Sequence, residues 1–296
     1  YIPAQDNPLI YGLSEDWKQS GIYKRNAGRW NTGLEFGRIT QLVVDNIADQ
    51  PTPKGYLKAF DPLTGEDKWV VEIPHYWNGG VLSSAGGLVF QGDALGMLTA
   101  YDKDSGDALW QFNTYTSMLA PPITFELDGV QYLSILTGTG GGDLFGGEPL
   151  PPVAEHASLT YNNYGRLLVF KVGGTEELPV PTVRDRSIPV QENLVASNEQ
   201  IAAGERHYNN YCAVCHGLAV RSGGSIPDLR RMSEGTHTAF NQIVQDGLLA
   251  ANGMAAFDDV LSDEDTTMIH HYVRARAEQD RLQAAGEVEM GQLTWQ

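Results

Sequence analysis

The spacing of hydrophobic residues along the chain changes its period between residues 172 and 197. Before that stretch, short runs alternate apolar and polar residues, as in Leu57-Lys58-Ala59-Phe60, and glycine-containing turns separate the runs. After it, apolar residues such as Ile201, Tyr208 and Tyr211 follow a roughly helical spacing. A period of two predicts β-strands, and a period near 3.6 predicts helices. The pattern therefore predicts an all-β part followed by an all-α part.

The β part contains an internal repeat. The skeleton A-[FY]-D-x-x-x-G-x-x-x-W occurs from Ala59 to Trp69 and again from Ala100 to Trp110, at an offset of 41 residues. A repeat of about 40 residues made of short strands is typical of a β-propeller blade. In each copy a strand leads into a turn that contains glycine, and a second strand ends at the tryptophan. We expect each tryptophan to pack between neighbouring blades.

The helical part carries recognisable start signals. Ser197-Asn198-Glu199-Gln200 matches a capping box, and Ser262 precedes three acidic residues, which favour a helix N-terminus. Met268, Ile269, Tyr272 and Val273 then form an apolar stripe, and Phe240-Ile243-Val244 predicts a short helix between the two long ones. This order predicts a small helical domain with a long helix at each end.

The only two cysteines lie together, in Cys212-Ala213-Val214-Cys215-His216. C-x-x-C-H is the attachment motif of haem c: two thiols form thioethers to the porphyrin, and the histidine binds the iron. A zinc site would need further cysteine or histidine ligands, and a thioredoxin-like pair would need a βαβ context. The sequence therefore favours a covalently bound haem, with Cys212 and Cys215 as attachment points and His216 as an axial ligand.

A methionine is the expected second axial ligand, because thioether sulfur raises the potential of a His-ligated haem. Met232 lies too close to the attachment motif, and Met268 lies within a predicted helix. Met254 follows in a glycine-containing loop before a helix start, so we predict it as the ligand; core filling is the alternative for any methionine. The other six histidines have no partner at metal-ligand spacing. We expect His207, His270 and His271 on helices, and His75, His156 and His237 in loops.

Charge and hydropathy argue against nucleic-acid binding and against a membrane-spanning helix. The formal net charge is −17 at pH 7, which argues against nucleic-acid binding, since phosphate contacts need clustered lysine and arginine. It is compatible with a basic redox partner. No apolar run reaches the roughly 20 residues that a membrane-spanning helix requires. We expect no nucleic acid and no membrane span.

Residues 197 to 278 closely resemble the cytochrome c domain of quinohaemoprotein alcohol dehydrogenases. The matching motifs include Cys212-Ala-Val-Cys-His-Gly217, Gly224-Ser-Ile-Pro-Asp-Leu-Arg230 and Gly253-Met-Ala-Ala-Phe257. The repeat resembles the tryptophan-docking motif of pyrroloquinoline quinone (PQQ) dehydrogenases, which are eight-bladed propellers. This resemblance implies that the Pro227 carbonyl holds the His216 ring, and that Trp77 and Asn78 lie near PQQ. Packing between blades is the alternative for Trp77.

The resulting fold prediction is about half of an eight-bladed PQQ-type propeller followed by an all-α cytochrome c domain. The predicted boundaries are a partial propeller at 1–172, a linker at 173–196, a cytochrome c domain at 197–284 and a tail at 285–296. Eight blades need well over about 300 residues. The family's catalytic aspartate and calcium ligands are therefore expected outside this chain, in a missing N-terminal segment or a complementary half-propeller chain.

The resemblance implies a function. The chain is interpreted as the electron-exit part of a PQQ-dependent alcohol dehydrogenase that oxidises alcohols to aldehydes. Electrons would pass from reduced PQQ to haem c and on to an external acceptor such as a small redox protein or a quinone. Because haem is attached covalently outside the bacterial cytoplasm, we expect the periplasm. The alternative is a non-catalytic electron-transfer cytochrome module in which the propeller portion serves only as a docking platform.

Overall fold

The computed structural model describes residues 1–7, 11–22, 33–35, 51–138, 156–162, 165–192, 194–222 and 226–287. These residues form two compact units. The first comprises the described residues within 1–9, 48–143 and 149–185, and the second those within 10–47, 144–148 and 186–296. The predicted boundaries at residues 172, 196 and 284 stay predictions, and the predicted tail from residue 288 onward lies outside the described residues.

The first unit consists of antiparallel sheets. One sheet contains β1 (Ile2–Asp6), β2 (Lys54–Phe60) and β3 (Asp67–Ile73), in that order. The next contains β4 (Asn78–Ser83), β5 (Leu88–Asp93), β6 (Met97–Asp102) and β7 (Ala108–Asn113). A further sheet has the order β10 (Arg166–Lys171), β9 (Val130–Thr137), β8 (Ile123–Leu127), and a short helix, α2 (Ala157–Thr160), precedes β10. The second sheet has the four-stranded up-and-down order of a propeller blade, and the other two show three strands each among the described residues.

The hairpin turns follow from the sequence. Asp128 and Gly129 connect β8 and β9, and both have positive φ, 52° and 76°. Two consecutive positive φ angles are what a type I′ turn requires, and Asp-Gly is among its preferred pairs. The turn fixes the register in which Leu127 pairs with Val130. Leu133 and Ile135 then lie on the buried face of β9.

Apolar residues of adjacent sheets form the cores of this unit. Leu57 and Ile73 of the first sheet pack with Val89 and Tyr101 of the second. A separate cluster joins the second sheet to the third through Leu98, Met118, Leu133 and Ile135. The three sheets are therefore held together by two successive apolar layers.

The tryptophans of the repeat also lie between sheets, in different environments. The Trp69 indole N–H donates to the Lys103 carbonyl (3.0 Å), and a Cβ on Gly106 would stand 2.8 Å from the Trp69 ring. The glycine of the second copy is thus the surface on which the tryptophan of the first copy packs. Trp110 instead meets Phe170 of the third sheet edge-on at 5.7 Å and stays 40% exposed, so it is less buried than the repeat predicts.

The second unit is mainly helical. Its principal helices are α3 (Asn198–Tyr211) and α7 (Asp263–Ala284), which pack against each other. Between them lie α4 (Ala213–His216), α5 (Glu234–Thr238), α6 (Phe240–Val244) and 3₁₀ turns at Leu218–Val220, Leu229–Arg231 and Ala250–Asn252. A short helix, α1 (Glu15–Ser20), belongs to the same unit. His237 lies in α5, not in the predicted loop, because Ser233 caps a short helix there.

Both predicted helix start signals are present, and each forms a capping box. The Ser197 side chain accepts from the Gln200 N–H while the Gln200 side chain accepts from the Ser197 N–H, and Ser262 and Asp265 do the same at α7. The two helices meet at Gly204, where the Met268 backbone leaves no room for a Cβ. Tyr208, Ile269 and Val273 are fully or almost fully buried at this contact.

A buried ion network joins α7 to the segments that flank the attachment motif. Asp280 accepts from Arg221 (3.1 Å) and Arg230 (2.6 Å), and also pairs with Arg276. Burial alone would raise the pKa of Asp280, but the three guanidinium groups outweigh burial and lower it. The carboxylate therefore stays charged and holds the three arginines together.

Candidate haem and quinone sites

The C-x-x-C-H motif forms one helical turn at the end of α3. The Cys215 N–H (3.1 Å) and the His216 N–H (2.9 Å) both donate to the Cys212 carbonyl. Cys212, Cys215 and His216 therefore all lie on one helical turn. Cys212 is buried and Cys215 exposed, and they form no disulfide. Burial raises the pKa of the Cys212 thiol to about 12, which is unlike the lowered pKa of a reactive redox thiol.

The His216 ring is held in one orientation. Its Nδ1 lies 3.0 Å from the Pro227 carbonyl, so Nδ1 carries the proton and donates it there. The resemblance implied this contact, and it leaves the Nε2 lone pair for a metal. Burial lowers the pKa of His216, which favours the neutral imidazole that iron ligation needs. His216 and Pro227 are thus brought together as a ligand and its orienting group.

The backbone after His216 is equally constrained. Gly217 has φ of 81°, and a Cβ there would clash with the Arg221 carbonyl. The buried Tyr208 hydroxyl donates to the Gly217 carbonyl (2.8 Å). Sequence reasoning missed this bond, because Tyr208 was assigned only to an apolar helix face. Together these contacts fix the direction in which the chain leaves the attachment turn.

Apolar side chains that are only partly buried pack against the core of the helical unit. They are Leu194, Ala196, Tyr211, Leu218, Leu229, Met254, Phe257 and Val260. Several flank the attachment turn or the Met254 loop in sequence. Met254 follows Gly253, whose φ is 93°, and its N–H donates to the Leu249 carbonyl (3.3 Å). Met232 is instead buried in the core, and Met268 lies within α7. Partly covered apolar side chains around a core that contains Cys212, together with an oriented His216 imidazole, fit a haem.

The second set of predicted residues lies where β3 leads into β4. Asn78 is the first residue of β4, and its side-chain amide donates to the Ala4 carbonyl of β1 (3.1 Å). Asn78 therefore links two sheets. The Trp77 indole nitrogen is buried and has no hydrogen-bond partner among the described residues. An unpaired buried donor needs an acceptor, so Trp77 fits a ligand with an acceptor atom better than Asn78 does.

His75 belongs to the same turn and was treated from sequence as an ordinary loop residue. It is buried, stacks on Tyr76 (4.6 Å) and accepts the Trp77 N–H at Nδ1 (3.0 Å). Its Nε2 has no partner within the described part of the chain. Only the position of His75, two residues before Trp77, signalled a role. His156, also assigned to a loop, is buried edge-on to His75 at 5.9 Å.

His75 and Asp93 respond oppositely to pH. Burial lowers the pKa of His75 from 6.5 to about 4, so its contribution to stability falls as pH drops through that window. Burial raises the pKa of Asp93 from 3.8 to about 6, so the folded state binds that proton more tightly. The contribution of Asp93 therefore rises as pH drops from about 6 toward 3.8. The two effects offset each other in the same unit.

Neither a separate metal centre nor a membrane span occurs within the residues that the structure describes. Those residues contain no cluster of three or more histidine, cysteine, aspartate or glutamate side chains arranged to hold a metal ion. Their helices include none with the length and apolar character needed to cross a bilayer.

Comparison with known proteins finds a family match in each unit. Residues 199–273 match the family "Cytochrome C oxidase, cbb3-type, subunit III", and residues 71–133 match "Glucose/ethanol/alcohol dehydrogenase, beta-propeller domain". Over 293 residues the chain is 39% identical to quinohemoprotein alcohol dehydrogenase ADH IIB of Pseudomonas putida. The chain is homologous to quinohaemoprotein alcohol dehydrogenases. The match covers 95% of this chain and 39% of the Pseudomonas protein.

Solved structures of quinohaemoprotein alcohol dehydrogenases agree. The structure of ADHIIG from Pseudomonas putida HK5 has a TM-score of 0.74 and 32% identity, covering 89% of this chain and 38% of that one. The enzyme from Comamonas testosteroni has a TM-score of 0.70 and 28% identity, covering 94% and 39%. The predicted fold class, a propeller portion followed by a helical cytochrome c domain, is confirmed. The chain spans about two fifths of the length of these relatives.

Proposed function

We propose that this chain is the C-terminal, electron-exit part of a PQQ-dependent alcohol dehydrogenase. In this function an alcohol is oxidised to an aldehyde, and electrons leave through haem c to an external acceptor, a small redox protein or a quinone. The observation that carries the proposal is the His216 imidazole. It is buried and oriented by Pro227, burial lowers its pKa, and it follows two cysteines on one turn.

Haem c would be held by four side chains. Cys212 and Cys215 would form the thioether links, and His216 Nε2 and the Met254 sulfur would bind the iron. Bound haem c supplies a one-electron carrier whose potential the histidine and methionine tune. Pro227 keeps the imidazole in its ligating tautomer. Tyr208 holds the Gly217 carbonyl in place, and the partly buried apolar side chains would exclude water from the haem.

PQQ would lie near Trp77 and Asn78, at the end of β4. PQQ supplies the two-electron oxidant for the alcohol. The unpaired Trp77 N–H supports contact with an acceptor atom, whereas Asn78 supports the position of β4 through its bond to Ala4. His75 holds the Trp77 backbone. We propose that the catalytic base lies outside this chain, together with a Ca²⁺ site.

The third sheet supports a larger propeller. One face carries apolar residues that point away from the second sheet and are exposed, namely Ile123, Phe125, Leu127, Val130, Leu136, Leu167 and Val169. A continuous apolar sheet face of this extent is unusual on a protein surface unless another element covers it. We infer that further blades, in the same polypeptide or in a complementary chain, pack there. Because haem c is attached outside the bacterial cytoplasm, we propose the periplasm as the location.

Anaerobic addition of a primary alcohol to the full-length, PQQ-loaded protein tests this function. We expect the sharp α-band of a reduced c-type cytochrome within one turnover. The proposal fails if the spectrum stays that of the oxidised cytochrome while an added dye is reduced, since electrons would then leave without using this chain.

Met254→Ala tests the sixth ligand. We expect the pigment to stay covalently attached, the potential to fall, and the weak far-red sulfur-to-iron band to disappear. Met268→Ala is the matched control, because Met268 is also partly buried but lies within α7. A band that survives in Met254→Ala and disappears in Met268→Ala would move the assignment to Met268.

A further inference from the structure

An apolar loop follows α6 and contains Met254. It runs from Gly247 to Phe257 and has no charged residue. Leu248 is 57% exposed and Leu249 38% exposed. Every alanine of the loop is also exposed, at positions 250, 251, 255 and 256. An exposed patch of leucine and alanine is unusual on the surface of a chain with a net charge of −17, and such patches often mark interaction sites.

The loop is closed at its base. The Phe257 N–H donates to the Val244 carbonyl (2.8 Å), and a Cβ on Gly247 would lie 3.2 Å from the Ala256 Cβ. Met254 and Phe257 turn inward and pack against the helical core. The loop therefore has an apolar inner side that serves the core and a second apolar side, at Leu248 and Leu249, that faces water.

The surroundings of the apolar loop are acidic. Asp246 precedes it, Asp258 and Asp259 follow it, and all three are exposed. No lysine or arginine occurs from residue 232 to residue 273, a segment that also contains Glu234, Asp263 and Glu264. Along the chain the apolar loop is thus bordered by negative charges alone, and an apolar surface bordered in this way is complementary to one ringed by positive charges.

We propose that the apolar loop is the docking surface for the external electron acceptor, and that this acceptor is a basic redox protein whose apolar contact face is ringed by lysine or arginine. The proposal rests on the proposed function, because Met254 connects this surface to the haem. The transfer moves one electron and no atom: the haem of this chain is oxidised by one electron, and the acceptor is reduced by one. A quinone carries no positive charges, so the acidic residues would not help to bind it.

The arrangement suits a transient complex. Long-range attraction from the aspartates increases the rate of encounter and depends on ionic strength. Apolar contact at Leu248 and Leu249 gives close approach without the directional bonds that would slow release. The aspartates should therefore affect the salt dependence of the rate, and the two leucines should affect the rate constant itself.

The test uses the full-length, haem-loaded protein, reduced and mixed in a stopped-flow instrument with oxidised pseudoazurin, a basic blue-copper protein. One variant is Leu248→Asn with Leu249→Asn, which keeps side-chain size and removes apolar surface. The matched control is Leu63→Asn, because Leu63 is 94% exposed in a turn of the first unit. A second variant neutralises Asp246, Asp258 and Asp259 as asparagines. Ferricyanide serves as a small acceptor, and alcohol-driven haem reduction is measured separately.

We expect the double leucine variant to react with pseudoazurin with a second-order rate constant about tenfold lower than that of Leu63→Asn. Its rate with ferricyanide should be unchanged. The aspartate variant should lose most of the salt dependence. A pseudoazurin rate within twofold of the control, with salt dependence retained in the aspartate variant, would overturn the proposal. Slower haem reduction by alcohol in the leucine variant would also overturn it, because the loop would then contact the rest of its own protein. Absence of covalent haem would instead overturn the proposed function.

Discussion

Replacing Gly204 with alanine should weaken the helical unit at the contact between α3 and α7. A Cβ at this position would stand 2.5 Å from the Met268 carbonyl carbon and 3.0 Å from the Tyr272 Cβ, and closer still to the Met268 carbonyl oxygen. Backbone atoms cannot rotate away as a flexible side chain can. The helices must therefore separate by roughly 1 Å, which loosens a close-packed contact that includes Tyr208 and Ile269.

The magnitude follows from two opposing terms. Overpacking a well-filled contact costs up to about 3 kcal/mol. Alanine is about 1 kcal/mol more favourable than glycine within a helix, which offsets part of that cost. We expect a net loss of about 2 kcal/mol in the free energy of unfolding, measured by denaturant titration with far-ultraviolet circular dichroism on the haem-loaded protein.

Gly235→Ala is the matched control. Gly235 lies within α5, and a Cβ there would meet only the Ser233 hydroxyl oxygen at 3.7 Å. It should be neutral or stabilising by up to about 1 kcal/mol. If Gly204→Ala were as stable as Gly235→Ala, the close helix contact and the packing argument built on it would be wrong.

Other substitutions probe the sheets and the buried charges. Gly106→Ala should destabilise the first unit by about 3 kcal/mol, measured by denaturant unfolding, because the new methyl meets a tryptophan ring at a φ of 80°. His75→Gln should gain about 2 kcal/mol relative to wild type between pH 6.5 and pH 4, measured by unfolding at each pH. Asp280→Asn should cost about 3 kcal/mol in the same assay, since the buried Arg230 and the partly buried Arg221 and Arg276 lose the carboxylate that they share.

Controls accompany these substitutions. Gly129→Ala has the same sign of φ but open space around the new methyl, so it reports backbone strain alone, and an equal loss there would remove the role of Trp69 packing. Asp104→Asn is an exposed charge neutralisation that should be nearly silent. A His75→Gln variant whose stability tracks wild type across the whole pH window would show that His75 is not buried in its neutral form.

Local signals in the sequence predicted much of the fold and of the haem site. C-x-x-C-H needs only one helical turn, so its geometry follows from neighbours in the chain, and both capping boxes act within three residues. The A-x-D-x-x-x-G-x-x-x-W spacing predicted blades because a strand, a turn and a strand are also local. Each of these features is specified by residues that lie close together in the sequence, and the local preferences agree with the fold.

Other features depend on contacts between distant segments and were not predictable from spacing. The burial of His75 requires the turn after β3 to pack against another loop that contains His156. The closeness of Gly204 to Met268 depends on the crossing of two helices far apart in sequence. Trp110 is half-exposed because the third sheet offers Phe170, where the second offers Gly106 to Trp69. Period and motif carry no information about such pairings.

The intact mass of the native protein, measured under denaturing conditions, shows whether haem is covalently attached to this chain. We predict one haem added to the mass of the polypeptide, and loss of that addition when Cys212 and Cys215 are both replaced by alanine. A native protein whose mass equals that of its amino acids alone would contradict the account, because no electron carrier would then be attached to this chain.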